Sequence, residues 1–320
     1  MKIHNLFAAA LLVLAGTANA TDYPTRPATI VVPFPAGGST DYVGRLVGSE
    51  LSNRLKGTFV VENRAGATGA IGATHVKNAP ADGYTLMVSS LAVFVINPHL
   101  QKTLQYDPTR DFDLITVAVQ APNVLVASPK APAATMPALL EYLKKNPGAA
   151  TFASSGTGAS DHLTAELFWQ KTGTSGLHVP YKGGAPAIVD LLGGQVDYSF
   201  QNVNAVLGHI QTGKLKAIVV TGNKRSDVLP DVPTMQEAGI KDLVVYSWQA
   251  VAAPKGIPAD VRTKLNHAIV AGLNDPANKA KMDAQGFEIV GNSPEEFEKF
   301  QAQELQRWKT VIETGKITAG

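Results

Sequence analysis

Short runs of β-branched and apolar residues alternate with longer stretches of helical periodicity from one end of the chain to the other. The runs at 29–32, 58–62, 85–89, 124–127, 151–153, 215–221 and 244–252 predict strands. Between them, residues 41–55 place Val43, Leu46, Val47 and Leu51 on one helical face, and residues 160–172 bring Leu163, Leu167 and Phe168 together. The last forty residues also read as helical, with Phe297, Phe300, Leu305 and Trp308 as the buried stripe. Such alternation argues for an α/β class with mainly parallel sheets.

Two extended stretches, 116–122 and 246–254, read as crossings between domains. A chain that leaves at the first and returns at the second has a discontinuous first domain, residues 21–118 with 252–320, and a second domain of residues 119–251. The expected architecture is then two α/β lobes around a ligand cleft, with extended hinges that let it close. Two consecutive domains without a cleft are the plainer alternative.

The first twenty residues change the compartment. Lys2 precedes an apolar stretch from Leu6 to Ala15 and then Ala18-Asn19-Ala20, the pattern of a cleaved secretory signal. A periplasmic protein is expected. The chain has no cysteine, so no disulfide staples it, and its 320 residues are enough to bury cores without one. Of 28 basic residues, 27 remain once Lys2 is set aside, against 26 acidic ones. With no global field and no charge run, nucleic-acid binding is not expected.

Candidate chemistry gathers at two strand-turn-helix junctions. In Pro33-Phe34-Pro35-Ala36-Gly37-Gly38-Ser39-Thr40-Asp41, the glycines admit a ligand to the backbone and the first helical turn offers free N–H groups, which suits a carboxylate. The alternative is a structural turn capped by Thr40 or Asp41. Residues 151–162 repeat the design through Ser154-Ser155-Gly156-Thr157-Gly158. Gly156 and Gly158 begin a dinucleotide fingerprint, but Asp161 stands at its third glycine. The phosphate-loop imitation at 208–215 ends in Leu215 and runs from helix to strand, so Thr212-Gly213-Lys214 reads as a helix end. The Ser39, Thr40, Ser155 and Thr157 hydroxyls add contacts or cap locally. Phe34 stacks on a ligand or packs beneath its loop, and Tyr181 projects from a third loop.

An enzymatic reading stays open in outline. Ser155 and His162, with Asp161 or Asp190, invite a hydrolase, yet no serine sits in a G-x-S-x-G elbow. His162 and Glu166 are one turn apart and offer two metal ligands, too few for a site. The other histidines, His178 among them, are isolated in sequence. No catalytic residue, metal or cofactor is expected.

Several motifs in order resemble a family. These are PFPAGG at 33–38 with Asp41 and Arg45, residues 61–72, Asn97-Pro98, residues 154–158 with His162 and Glu166, and residues 179–183, 190–197 and 229–234. Together they resemble the extracytoplasmic solute receptors of tripartite tricarboxylate transporters, the Bug receptors. The resemblance implies a two-lobed periplasmic binding protein fold closing on one small organic carboxylate: a di- or tricarboxylate, an acidic amino acid or an aromatic acid. It implies capture by main-chain amides, carried here onto Phe34, Gly37, Gly38, Ser39, Thr40 and Asp41 in one lobe and Ser154, Ser155, Gly156, Thr157 and Gly158 in the other. Ser89, His162, Tyr181 and Asn204 complete the candidate lining, while Glu62, Asn63 and Arg64 hold loops in place. It further implies a monomeric receptor that delivers its ligand to one large and one small integral-membrane subunit; sensing without transport is the alternative. Two departures stand out. Gln249-Ala250 follows Trp248 where members commonly carry a small apolar run with glycine, and residues 89–94 are apolar, favouring a ligand with an apolar or aromatic body over citrate.

Overall fold

A computed structural model describes residues 22–318, and the expected signal peptide at 1–20 lies outside the described residues. The first lobe begins β1 (Ala28–Val32), α1 (Ser39–Leu55), β2 (Phe59–Asn63), a 3₁₀ turn, α2 (Ala70–Lys77), β3 (Thr85–Ser90), a π-turn at Ala92–Ile96 and α3 (Asn97–Leu100). β4 (Phe112–Ala127) leads into α4 (Met136–Lys145), β5 (Thr151–Ser154), α5 (Ser160–Thr172), β6 (Leu177–Pro180), α6 (Gly184–Gly193), β7 (Tyr198–Asn202), α7 (Val203–Gln211) and β8 (Lys216–Val220). The chain returns through β9 (Tyr246–Pro254) to α8 (Ala259–Leu273), α9 (Pro276–Asp283), β10 (Glu288–Ile289) and α10 (Pro294–Gly315).

The sheets are mixed, which corrects the mainly parallel expectation. β2, β1 and β3 run parallel in one lobe and β6, β5 and β7 in the other, but every pairing of β4 and β9 is antiparallel. The reason is geometric. β4 carries the chain out and β9 carries it back, so the two crossings run in opposite senses and zip together from Phe112↔Pro254 to Pro122↔Tyr246. Beyond Pro122, β4 continues into the second sheet, where residues 123–127 pair with β7 and 124–127 with β8. Every residue of β4 is buried except Gln120, as a strand central to both sheets requires.

Helices clamp each sheet face. Val43, Val47 and Leu51 of α1 pack with Ile30, Val32, Val88, Leu265 and Ile269. α10 closes the opposite side, where Phe297 and Trp308 are fully buried and Phe94 stacks on Trp248 with ring centroids 5.7 Å apart. The apolar residues 91–96 therefore face the core, so their character reports packing and not the body of a ligand. α10 starts with a capping box between Ser293 and Glu296, and α7 ends through Thr212 with Gly213 left-handed. No helix among the described residues is long and apolar enough to cross a membrane.

Candidate functional site

The two junctions singled out by sequence form matching turns. At the first, β1 ends at Val32, Gly37 takes φ +85°, and α1 starts after Gly38 with no side-chain cap. At the second, β5 ends at Ser154, Gly156 and Gly158 take φ +133° and +82°, and α5 starts after Ala159, again without a side-chain cap. Positive φ explains the glycines, because a Cβ there costs about 1–2 kcal/mol. Neither first turn has an N-cap side chain, and apart from the His162 N–H, which Asp161 accepts, their leading N–H groups lie where the helix dipole favours negative charge.

Asp41 shapes the first loop. Its carboxylate accepts from the Gly37 N–H (2.9 Å), from Arg45 Nε (3.0 Å) and from Asn63 Nδ2 (2.9 Å), and the same Asn63 nitrogen donates to the Phe34 carbonyl. Burial pushes its pKa up, but the hydrogen bonds from Arg45, Gly37 and Asn63 and the Arg45 charge outweigh that, holding it below the ordinary carboxylate value. Phe34 lies against the loop's neighbours: a Cβ on Gly69 would sit 3.1 Å from its ring and against Val93. Glu62 and Arg64 pair with each other, and the Arg64 N–H donates to the Val32 carbonyl.

Asp161 does the corresponding work in the second loop. It is buried and accepts from the Ser155 N–H (2.7 Å), the Ser155 hydroxyl (2.6 Å), the His162 N–H (2.9 Å) and Gln201 Nε2 (3.4 Å). Here burial wins and its pKa is raised. The Gly158 N–H donates to His162 Nδ1 (3.1 Å), so that nitrogen carries no proton, while His162 Nε2 lies 3.5 Å from Glu166.

His178 is not isolated. The parallel register of β5 and β6 sets it beside Phe152, its ring stacks on His162 with centroids 3.8 Å apart, and its Nε2 meets the Ser154 hydroxyl at 2.6 Å. Burial first, then the neighbouring His162, pushes its pKa down to about 3, so it is neutral at working pH. Tyr181 is tied down too. Its hydroxyl donates to Asp190 (2.7 Å) and its N–H to the Ser154 carbonyl (3.0 Å); burial and then Asp190 push its pKa up to about 12.

The lobes meet around these loops. Asn204, at the start of α7, donates to the Ser39 hydroxyl (2.8 Å), and Thr68 donates to the Thr157 carbonyl (3.4 Å). Gly158 packs against Leu100 and Ile96 of the first lobe. Thr40 is buried at the start of α1. Ser89 is fully buried with no hydrogen-bond partner for its hydroxyl, on the opposite face of β3 from Ser90. A concavity of about 700 Å³ lies elsewhere, on the second lobe among Met136, Ile210, Leu215 and Glu237, and holds none of the loop residues. It lacks the converging donors of the loops.

No group of three or more His, Cys, Asp or Glu residues among the described residues could hold a metal. Sequence spacing alone does not reveal Gln201 or the His162–His178 contact, because both depend on strand register. Asn63 is legible as a loop support beside the Pro33–Asp41 segment.

Two mixed α/β lobes joined by crossing strands, with uncapped helix starts where they meet, are the fold typical of periplasmic binding proteins. The sequence profile of the tripartite tricarboxylate transporter family receptor matches residues 43–317. The chain is 40% identical over 304 residues to Protein BugT of Bordetella pertussis, covering 94% of this chain and 93% of that one. The R. palustris protein Rpa4515, solved with adipate, superposes with a TM-score of 0.89 at 35% identity, covering 93% and 99% of the two chains. MatC from Rhodopseudomonas palustris, solved with bound malate, gives 0.84 at 30% identity over 91% and 100%. The chain belongs to the family of tripartite tricarboxylate transporter receptors and is a periplasmic solute-binding protein.

Proposed function

We propose that this receptor captures a small organic carboxylate between the loops at 34–41 and 154–158, holding it by main-chain amides, and delivers it to a transporter of one large and one small membrane subunit. The ligand class is a di- or tricarboxylate, an acidic amino acid or an aromatic acid. The observation that carries this is the pairing of two uncapped helix starts, each with a buried aspartate holding its loop in an amide-presenting turn. Relatives solved with adipate and malate support the class. We place the moving bodies at 21–118 with 252–320 and at 119–251, hinged where β4 and β9 cross. Closure is driven by ligand contacts made only in the closed form, and the Ser39–Asn204 and Thr68–Thr157 hydrogen bonds add to it from the protein side.

The hydrolase alternative loses its geometry. Ser155 donates to Asp161 and not to a histidine, and the Ser154 hydroxyl that does meet His178 is 0% exposed. The test is a thermal-shift panel on ligand-stripped protein with mono-, di- and tricarboxylates, acidic amino acids and aromatic acids. An acid at about a hundred times its Kd stabilises by roughly 2.7 kcal/mol, a shift of a few degrees. A response confined to one class supports the reading; no response, or ester turnover lost in Ser154→Ala or Ser155→Ala, contradicts it.

A further inference from the structure

Gln249, where this chain departs from the small apolar run, is 1% exposed, and its side-chain carbonyl has no hydrogen-bond partner. Its place follows from register. Val88 opposes Val251 and Ser90 opposes Gln249 across the antiparallel β3–β9 pair, so all four share one face. That face carries α1, because a Cβ on Gly44 would sit 3.8 Å from Val88 Cβ and 2.6 Å from a Val32 methyl. From Val88 to Ser90 is about 6.6 Å along the strand. From Gly44 back to Thr40 is about 6 Å along the helix, which runs the opposite way to β1 and hence to its parallel partner β3. The Ser90–Gln249 pair therefore lies beneath the first turn of α1, on the floor of the ligand cleft.

A buried amide carbonyl without a donor is costly, and nothing in the fold supplies one here. We propose that Gln249 is a specificity-determining residue whose side-chain carbonyl accepts a hydrogen bond from an N–H or O–H beside the captured carboxylate, so that the receptor prefers 2-hydroxy or 2-amino acids over the unsubstituted acid. The inference rests on the carboxylate reading of the cleft and narrows it. A second unpartnered carbonyl, that of Asn123, whose nitrogen donates to Thr164 of α5, lies four residues along β4 from Val119, the partner of Gln249. Strand alternation puts it on the same side.

The test is isothermal titration of ligand-stripped protein with three matched sets: succinate, malate and aspartate; glutarate, 2-hydroxyglutarate and glutamate; phenylacetate, mandelate and phenylglycine. In whichever set binds, a substituted acid is expected to bind about 10–100-fold more tightly than its parent. Gln249→Met and Gln249→Leu, checked for an unchanged thermal midpoint, should bring that ratio within about threefold by weakening only the substituted acid. Equal affinities within a set in the wild type overturn the inference without needing a variant, and so does a preference that survives both variants. Silence from all nine acids overturns this inference, while the carboxylate reading itself stands or falls with the wider thermal-shift panel.

Discussion

The two strand-to-helix loops, before α1 and before α5, are held in place by opposite electrostatic means. In the first, Asp41 is paired with Arg45, whose side chain is 55% exposed, and the pair holds the Asp41 pKa down. In the second, Asp161 sits among Ser155, His162 and Gln201, and burial raises its pKa. Each carboxylate accepts a main-chain N–H of its loop, that of Gly37 just before α1 for Asp41 and that of Ser155 just after β5 for Asp161, and so helps fix the turn. The first loop therefore depends on a charge pair that solvent and salt can reach, whereas the second depends on a dry network that tolerates no missing member.

Truncating the dry network should cost most. Asp161→Ala takes the acceptor from the Ser155 N–H and hydroxyl and from the His162 N–H, while Gln201 Nε2 keeps the Ser199 hydroxyl, so urea unfolding should show a loss of about 3 kcal/mol, with ligand binding abolished. Asp41→Ala leaves Arg45 free to turn to water; about 1–2 kcal/mol is expected, with affinity reduced but measurable. A smaller loss from Asp161→Ala than from Asp41→Ala would break the comparison. Glycines sharpen it next. Gly37 and Gly158 have nearly the same φ, +85° and +82°, but an added Cβ meets nothing at Gly37 and strikes Leu100 of the opposite lobe at Gly158. Both alanine variants bear the same strain, of about 1–2 kcal/mol. Only Gly158→Ala wedges the lobes apart, so its affinity should fall about tenfold below that of Gly37→Ala. Small-angle scattering would report the opening directly. Asn204→Ala, which removes both hydrogen bonds between Asn204 and Ser39, should cost about fivefold in affinity.

The two aspartates also titrate with opposite signs. A depressed folded-state pKa, as for Asp41, contributes stability that is present above the unfolded value and lost as pH falls through the folded one. A raised one, as for Asp161, contributes stability that is full below the unfolded value and lost as pH rises through the folded one. Urea midpoints measured from pH 3 to pH 7 should therefore show Asp41→Asn flattening the rise with pH and Asp161→Asn removing an opposing decline. His178, neutral down to about pH 3, should contribute no pH dependence to binding between pH 5 and pH 8.

Both loops were legible in the sequence because their signal is local: an apolar strand, glycines in a tight turn, then a periodic helix. The sense of the crossings was not, since residues 116–122 have the composition of a buried parallel strand and only the return through β9 makes them antiparallel. Residues 89–94 misled for another reason. Apolar character identifies burial but not its partner, and the π-turn rotates Phe94 onto Trp248 and Phe297 instead of into the cleft. His178 stayed hidden because its contact with His162 depends on the β5–β6 register, which no spacing encodes.

The central claim is that main-chain amides of both loops grip one carboxylate. A crystal structure of the protein with the acid that gives the largest thermal shift tests it most directly. The account predicts carboxylate oxygens within about 2.7–3.1 Å, directly or through one ordered water, of backbone nitrogens from 38–41 and of that of Thr157. The neighbouring N–H groups at 155, 156 and 158 are already given to Asp161, the Ser154 hydroxyl and His162. A carboxylate held instead by a lysine or arginine side chain, with either loop untouched, would contradict it.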